Sequence, residues 1–505
     1  MHILFIRTPR YRWPFHSPSS SFWQPLGMAS VAASVREQCE DVTVEILDCP
    51  TLKIGWATLP KLIAKKKPTV VCVGEETVSS HEALRLVRVV KDIDPHIITI
   101  AGGMFFSYVI KETLTKHPID YIVRLEGEQT MVELIKMLAQ PKHLQHFEHI
   151  KGIAYLAQHR VIITKPRAPV HNLDDLPIPA YDLLPMHLYG KDAVTHKDLV
   201  AVEHSRSCTA KCNFCVLWRQ LGSQQPDGTY QMAYRTKSVS RVVEEIQMLS
   251  ETYKRKTFCW VDPTFNVSPK WNSEYCTALK EHDIHIDQTA WFRADYTIRD
   301  HKNGVLKQLV DTGIKQVQIG LERTDSKDLS ALEKTYTLEM LQKAFSILRE
   351  YPSVLSVATY IYGLPDETPQ SLASFYKDLR TIPYDFGLPI PLTPNPGGKY
   401  YEDPAYDKLI EIKDYSYYNY INPVMRSKTM SIPSLIRHMC WQELKLRGMQ
   451  NIISRFNKKN RRTKAIGRLS ASKAHVFKSM LKDITINRLF RKYTNYNVKP
   501  DWYDR

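Results

Sequence analysis

Two series of short apolar runs, each run followed by a helix-length segment, most constrain what this chain can fold into. From residue 1 to about 135 the runs are "HILFIRT", "VTVEILD", "TVVCVGEE", "IITIAGG" and "YIVRLEGE", and the segments behind them extend from "GMASVAASVREQ" to "MVELIKMLA". Strands that are apolar throughout are buried on both faces, and parallel pairing needs crossovers of helix length. Five such units predict a doubly wound parallel sheet of Rossmann-like architecture. A hairpin-like pair and a Pro-rich, acidic stretch, "KGIAYLAQHRVIITKPRAPVHNLDDLPIPAYDLLP", then reads as a linker. The second series, "LVAVEHSRSC", "KTFCWVDPTF", "DQTAWFRAD", "QVQIGLER" and "VLSVATYIYGLP", predicts a full or partial βα barrel, a fold whose loops after the strands carry the chemistry. The expected class is α/β, divided as 1–145, a linker 146–192, a barrel 193–385, and a Tyr-rich cap with a mainly helical basic region over 386–505.

A chain of 505 residues exceeds one ordinary core, and 43% hydrophobic with 24% charged residues describes a soluble globular protein. "MHILFIRTPR" lacks a signal-peptide pattern and no stretch reaches the length of a membrane span, so the expected compartment is the cytoplasm, where nine cysteines do not imply disulfides. The net charge of +16 is a tail property: from Trp441 to Arg505 there are 17 Lys+Arg against 4 Asp+Glu. That tail could meet RNA, an acidic membrane surface or an acidic partner. The favoured reading is one or two amphipathic helices with a solvated basic face, since Ile452, Phe456, Leu469 and Phe477 recur within it. No nucleic-acid-binding motif accompanies it.

Three of the nine cysteines, Cys208, Cys212 and Cys215, stand in "SRSCTAKCNFCVLW", just past the first barrel strand. Structural zinc usually takes four ligands, and no second CxxC half follows. A redox pair would leave Cys208 unexplained. Three thiolates on one short loop can instead hold three irons of a cubane cluster and leave the fourth open.

CxxxCxΦC, with Phe214 as the aromatic, resembles the signature of the radical S-adenosylmethionine superfamily. The resemblance implies a [4Fe-4S] cluster whose open iron chelates S-adenosylmethionine, one-electron cleavage to a 5′-deoxyadenosyl radical, and a low-potential donor such as flavodoxin or ferredoxin. It sets Phe214 against the adenine and offers Asp262 and Thr264 of "WVDPTFNV" to the methionine part, although the Gly-Gly-Glu of many members is missing. Glu322 of "IGLER" would reach the ligand, with Gly320 leaving room for it. Arg293 of "WFRAD" would lie at a similar inward strand end, and Gly363 of "YIYGLPDET" beside the adenine. For Glu322 and Arg293 a structural ion pair is the competing reading.

The first domain, with "QPLGMASVAASVRE", "AGGMFFSY" and "RLEGEQTMVEL", is similar to the cobalamin-binding class of that superfamily over roughly residues 1 to 440. The DxHxxG motif that supplies a cobalt-ligating histidine is absent; "DPHIIT" has Thr99 where the glycine belongs. The resemblance therefore implies cobalamin without a histidine beneath the cobalt, lined by Thr77, Gly102, Gly103, Gly127 and Glu128. Two tight turns are the other reading of those glycines.

A cobalamin opposite a radical generator implies methylation of an unactivated carbon, or of phosphorus, in a metabolite. Two segments favour radical ring closure or rearrangement instead. "CVLWRQLGSQQPDGTYQMAYRTKSVSRVVEEI" is similar to enzymes acting on hopanoid lipids, and "EGEQTMVEL" to the anaerobic magnesium-protoporphyrin ester cyclase, which acts on a tetrapyrrole. A binding protein that uses both cofactors and engages nucleic acid through its tail is the reading from another class. RNA methylthiolation would call for a second cysteine trio; Cys39, Cys49 and Cys72 read as core residues, as do Cys259, Cys276 and Cys440. "GSQQPDGTYQMAY" reads as a substrate-entrance loop or an ordinary surface loop, and the Tyr-rich stretch after residue 385 as a cap over the barrel mouth.

Overall fold

The computed structural model describes residues 1–10, 24–190, 198–455 and 499–505. In the first domain β1 (His2–Arg7), β2 (Thr43–Asp48), β3 (Val70–Gly74), β4 (Ile98–Gly102) and β5 (Tyr121–Val123) lie parallel in the order β2-β1-β3-β4-β5. Side chains alternate between two cores. Ile3, Phe5, Val70, Cys72 and Ile100 pack with the helices Leu26–Gln38 and Glu128–Leu138, while Leu4, Ile6, Val71, Val73 and Ala101 pack with Leu59–Lys66, Ser80–Ile93 and Ile110–Lys116. Covering both faces is what apolar, non-alternating strands require. The hairpin counted above with the linker, β6 (Ile153–Ala157) and β7 (Arg160–Ile163), adds antiparallel to β5 and extends the sheet to seven strands.

In the second domain β8 (Leu199–Val202) is followed by four two-residue strands, β9 (Ser205–Arg206), β10 (Ser223–Gln224), β11 (Tyr230–Gln231) and β12 (Arg235–Thr236). β9 pairs with β12 and β10 with β11, bracketing the cysteine loop. The main sheet is completed by β13 (Thr257–Trp260), β14 (Asp287–Phe292), β15 (Ile314–Glu322), β16 (Leu355–Tyr362) and β17 (Phe386–Pro391). All pairs are parallel in the open order β17-β16-β15-β14-β13-β8, a partial barrel. Its sixth strand comes from the segment expected to begin the cap. Ser238, Ser268, Thr337 and Thr368 cap the helices that follow by accepting a backbone N–H, each contributing about 1 kcal/mol.

Cys39 and Cys72 pack in one core and Cys49 in the other, so they form no ligand set. Cys276 and Cys440 are buried, but Cys259, expected in the core, is half-buried. It points away from its neighbours Phe258 and Trp260, which pack outward against helices, and so faces the barrel interior. Most of the basic tail, residues 456–498, lies outside the described residues; the last residues pack back onto the first domain, where Trp56 N donates to Tyr503 O (2.9 Å). Among the described residues no helix is long and apolar enough to cross a membrane.

Candidate cofactor sites at two sets of strand ends

The cysteine loop leaves β8 and is anchored by Asp262. One carboxylate oxygen accepts from His204 N (3.1 Å) and Ser205 Oγ (2.6 Å) and lies 2.9 Å from His204 Nδ1. Asp262 is buried and its carboxylate is taken up by these loop donors, so it positions the cysteine loop. Ser207 has φ +72, a left-handed turn that redirects the chain immediately before Cys208. Thr264 does reach the site: its Oγ1 lies 3.6 Å from Cys208 Sγ. Cys212 is buried and Cys208 and Cys215 half-buried; burial pushes the Cys212 thiol up and that of Cys215 to about 12. Tetrahedral zinc with bonds of about 2.3 Å needs sulfurs under about 4 Å apart. It also takes four ligands, and the loop offers three cysteines, the number that holds a cubane cluster with one iron left open. Phe214 packs, partly buried, against the apolar group that includes Leu364, Leu392 and Met425.

Across the barrel, Glu322 ends β15 at a register shift and with φ +62. Its buried carboxylate faces Lys334 Nζ at 3.3 Å, and Lys334 also donates to Gly320 O (3.1 Å). A methyl at Gly320 would collide with the Glu322 carboxylate, so this glycine makes room for the glutamate, where sequence reading had it making room for the ligand. Burial pushes the Glu322 carboxyl above its ordinary range, and Lys334 offsets this only in part. Arg293 pairs with Asp295 (2.8 Å) and lies over the rings of Tyr296 and Tyr336, at 5.0 and 5.3 Å. Each of the two residues therefore has an ion-pair partner of its own, Lys334 for Glu322 and Asp295 for Arg293. Gly363, φ +82, donates to Glu367, whose carboxylate also accepts from the buried Arg323 (2.6 Å). Lys334, Arg323 and Glu367 went unassigned in the sequence.

The carboxyl ends of the first sheet open into a cavity of ≈ 440 Å³ that includes Gly102, Gly103, Gly127 and Glu128 in its wall, along with Glu203 and Arg206 from the barrel side. Thr77 is outside that wall; its carbonyl accepts from Ser80 Oγ (2.8 Å). Gly103 has φ +89, and a methyl at Gly27, also in the wall, would meet no protein atom within 4 Å. Gly27 thus fronts open space, as a bulky ligand requires, whereas a methyl at Gly102, Gly103 or Gly127 would press on Val123, Glu75 or Val31, so those three serve close chain packing behind the wall. Glu128 accepts from Ser30 Oγ (2.9 Å) and Arg206 (2.7 Å). Burial alone would raise its carboxyl, but Arg206 outweighs that and holds it below the ordinary range. No histidine is among the described wall residues.

Residues 17–135 match the family described as the B12 binding domain, and residues 202–379 match the radical SAM superfamily. The chain is a B12-binding radical S-adenosylmethionine protein. Family membership brings cobalamin, S-adenosylmethionine and a [4Fe-4S] cluster as cofactors, and the cavity and the cysteine loop fit them. An uncharacterized methyltransferase of Pyrococcus horikoshii is 28% identical over 80% of this chain and 83% of its own length. The anaerobic magnesium-protoporphyrin IX monomethyl ester cyclase of Rubrivivax gelatinosus is 26% identical over 86% of this chain and 75% of its own. The fold is that of the radical S-adenosylmethionine methyltransferase TsrM from Kitasatospora setae, a structure with cobalamin and a [4Fe-4S] cluster bound, at a TM-score of 0.61 and 15% identity over 81% of this chain and 74% of that one. The cobalamin-dependent radical enzyme OxsB also aligns at 0.61, with 16% identity, over 88% of this chain and 61% of that one.

Proposed function

We propose that this cobalamin-dependent radical enzyme methylates an unactivated carbon, or phosphorus, of a small molecule. The observation that carries the reading is the shared wall. The cavity at the strand ends of the B12 domain is closed on one side by Glu203 and Arg206, and Arg206 lies two residues before the first cluster cysteine. A substrate between them would face both cofactors. When bound, the cluster supplies one-electron cleavage of S-adenosylmethionine and the corrinoid supplies a transferable methyl group. The chain's part is orientation and water exclusion. Lys334 and Glu322 offer one charge of each sign to the zwitterionic end of S-adenosylmethionine, and Phe214 offers an apolar face. Trp291 and Gln318, register partners on β14 and β15, line the barrel interior beside Cys259, where Trp291 remains 37% exposed. Such a floor suits a substrate with an apolar face.

Ring closure on a tetrapyrrole is the second reading. It is favoured by three magnesium-protoporphyrin ester cyclases that match over 85 to 86% of this chain.

Product analysis separates the two. Methylation consumes two S-adenosylmethionines and two electrons per product, giving S-adenosylhomocysteine, methionine and 5′-deoxyadenosine. Cyclisation gives no S-adenosylhomocysteine. Reconstituted enzyme with a low-potential reductant and methyl-deuterated S-adenosylmethionine is expected to form both nucleosides in equal amounts and to label the product. 5′-Deoxyadenosine alone, with magnesium-protoporphyrin ester consumed, would overturn methylation in favour of the cyclase.

A further inference from the structure

Arg206 is the most heavily paired side chain at the boundary between the two domains. Its guanidinium donates to Glu128 (2.7 Å) of the B12 domain and to Glu203 (2.8 Å) of its own, and lies 3.8 Å from Glu126. Through the β9–β12 pairing it stands directly opposite Arg235, which grips Glu126 with both arms of its fork (2.7 and 3.1 Å). Like charges directly opposite on paired strands repel. Two arginines persist there because the "LEGE" loop of the B12 domain inserts two carboxylates against them. That loop is strained: Leu125 has φ +58, in a region a branched side chain seldom occupies. Its residues Leu125, Glu126, Gly127 and Glu128 form one wall of the cavity.

We infer that Arg206 is a positioning residue that couples the two cofactor sites, transmitting order in the cysteine loop to the cavity wall of the B12 domain. The inference rests on the reading that cobalamin occupies this cavity. A cluster on Cys208, Cys212 and Cys215 pins the loop from which Arg206 projects. Arg206 so pinned holds Glu128, and the strained wall is ordered before the corrinoid arrives. Ordering done in advance is not paid for again on binding, so the cluster tightens cobalamin binding, and by reciprocity cobalamin stabilises the clustered loop.

The test is a titration of apo and cluster-reconstituted full-length protein with hydroxocobalamin, followed by absorbance, with iron content measured in parallel. The wild type is expected to bind about 5-fold or more tightly when the cluster is present. Arg206→Lys keeps the charge but loses the fork, and Glu128→Gln removes the partner in the other domain. Each is expected to bring that ratio to about one while both cofactors still bind, and the double variant should behave like either single one. Glu203→Gln, which removes a partner within the barrel domain, should leave the ratio well above one. Should Arg206→Lys take up no iron, Glu128→Gln carries the test from the other side. A wild-type ratio of one, or a wild-type-like ratio in Glu128→Gln, overturns the coupling. Absence of cobalamin binding in every form overturns the cobalamin reading, and the coupling with it.

Discussion

The two buried glutamate sites of this enzyme are built in opposite ways. At the domain boundary the Arg235 fork grips Glu126 and one arm of Arg206 meets Glu128, which is held below the ordinary carboxylate range despite complete burial. Inside the barrel Glu322 is just as buried but has a single lysine, and its carboxyl is pushed up. Compensated charge makes a joint, whereas under-compensated charge makes a site. The boundary cluster holds two halves together, whereas the barrel cluster leaves a carboxylate short of positive charge, which under the proposed function the ammonium or sulfonium of S-adenosylmethionine supplies.

Cys212→Ala should have the largest effect, removing a cluster ligand from both comparisons at once; iron content should collapse and turnover disappear. Normal activity in that variant would remove the radical chemistry altogether. Next, Arg235→Ala breaks a buried bidentate pair and leaves Glu126 with only the more distant Arg206 guanidinium at 3.8 Å, at a cost of about 3 kcal/mol in denaturant unfolding. The same experiment on Glu322→Gln should show a smaller loss of apo stability, because the unfavourable burial of that carboxylate offsets part of what Lys334 loses with its partner. Its effect should fall on S-adenosylmethionine affinity, weakened roughly 10-fold to 100-fold by loss of a charged hydrogen bond of about 1.5–3 kcal/mol. Equal stability losses for the two variants would erase the distinction.

The smallest effect is in pH dependence, and its sign differs between the sites. Glu128 has a depressed folded value, so its contribution is complete above the unfolded value of about 4.3 and is lost as the pH falls through the folded one. Glu322 has a raised value, so its contribution is complete below about 4.3 and is lost as the pH rises through the folded one. Melting of the apo-protein across the acid range should therefore show a shallower acid limb for Glu128→Gln, and for Glu322→Gln a smaller fall in stability as the pH rises from that value.

Both sheets were legible because non-alternating apolar runs admit few arrangements, and the cysteine spacing admits few chemistries. What escaped has physical reasons. β17 contains Pro389 and reads poorly as a strand, yet an edge strand tolerates a proline with no partner on its outer side, and β17 is the edge. Asp262 was read as a ligand because it is polar at a strand end; the backbone N–H groups it accepts from lie on a loop 57 and 58 residues away. Arg206 and Glu128 both stand in motifs quoted from the sequence, but 78 residues separate them and nothing periodic joins them. Lys334 follows a short helix on a loop, where no repeat marks a residue as inward.

The central claim is that one chain holds a cluster and a corrinoid at once, and their stoichiometry tests it most directly. After anaerobic purification and reconstitution with iron and sulfide, the protein is incubated with hydroxocobalamin, desalted and assayed for both. About four irons and about one corrinoid per chain are expected. Four irons without retained corrinoid would contradict the account, leaving a radical enzyme whose first domain serves something other than methyl transfer.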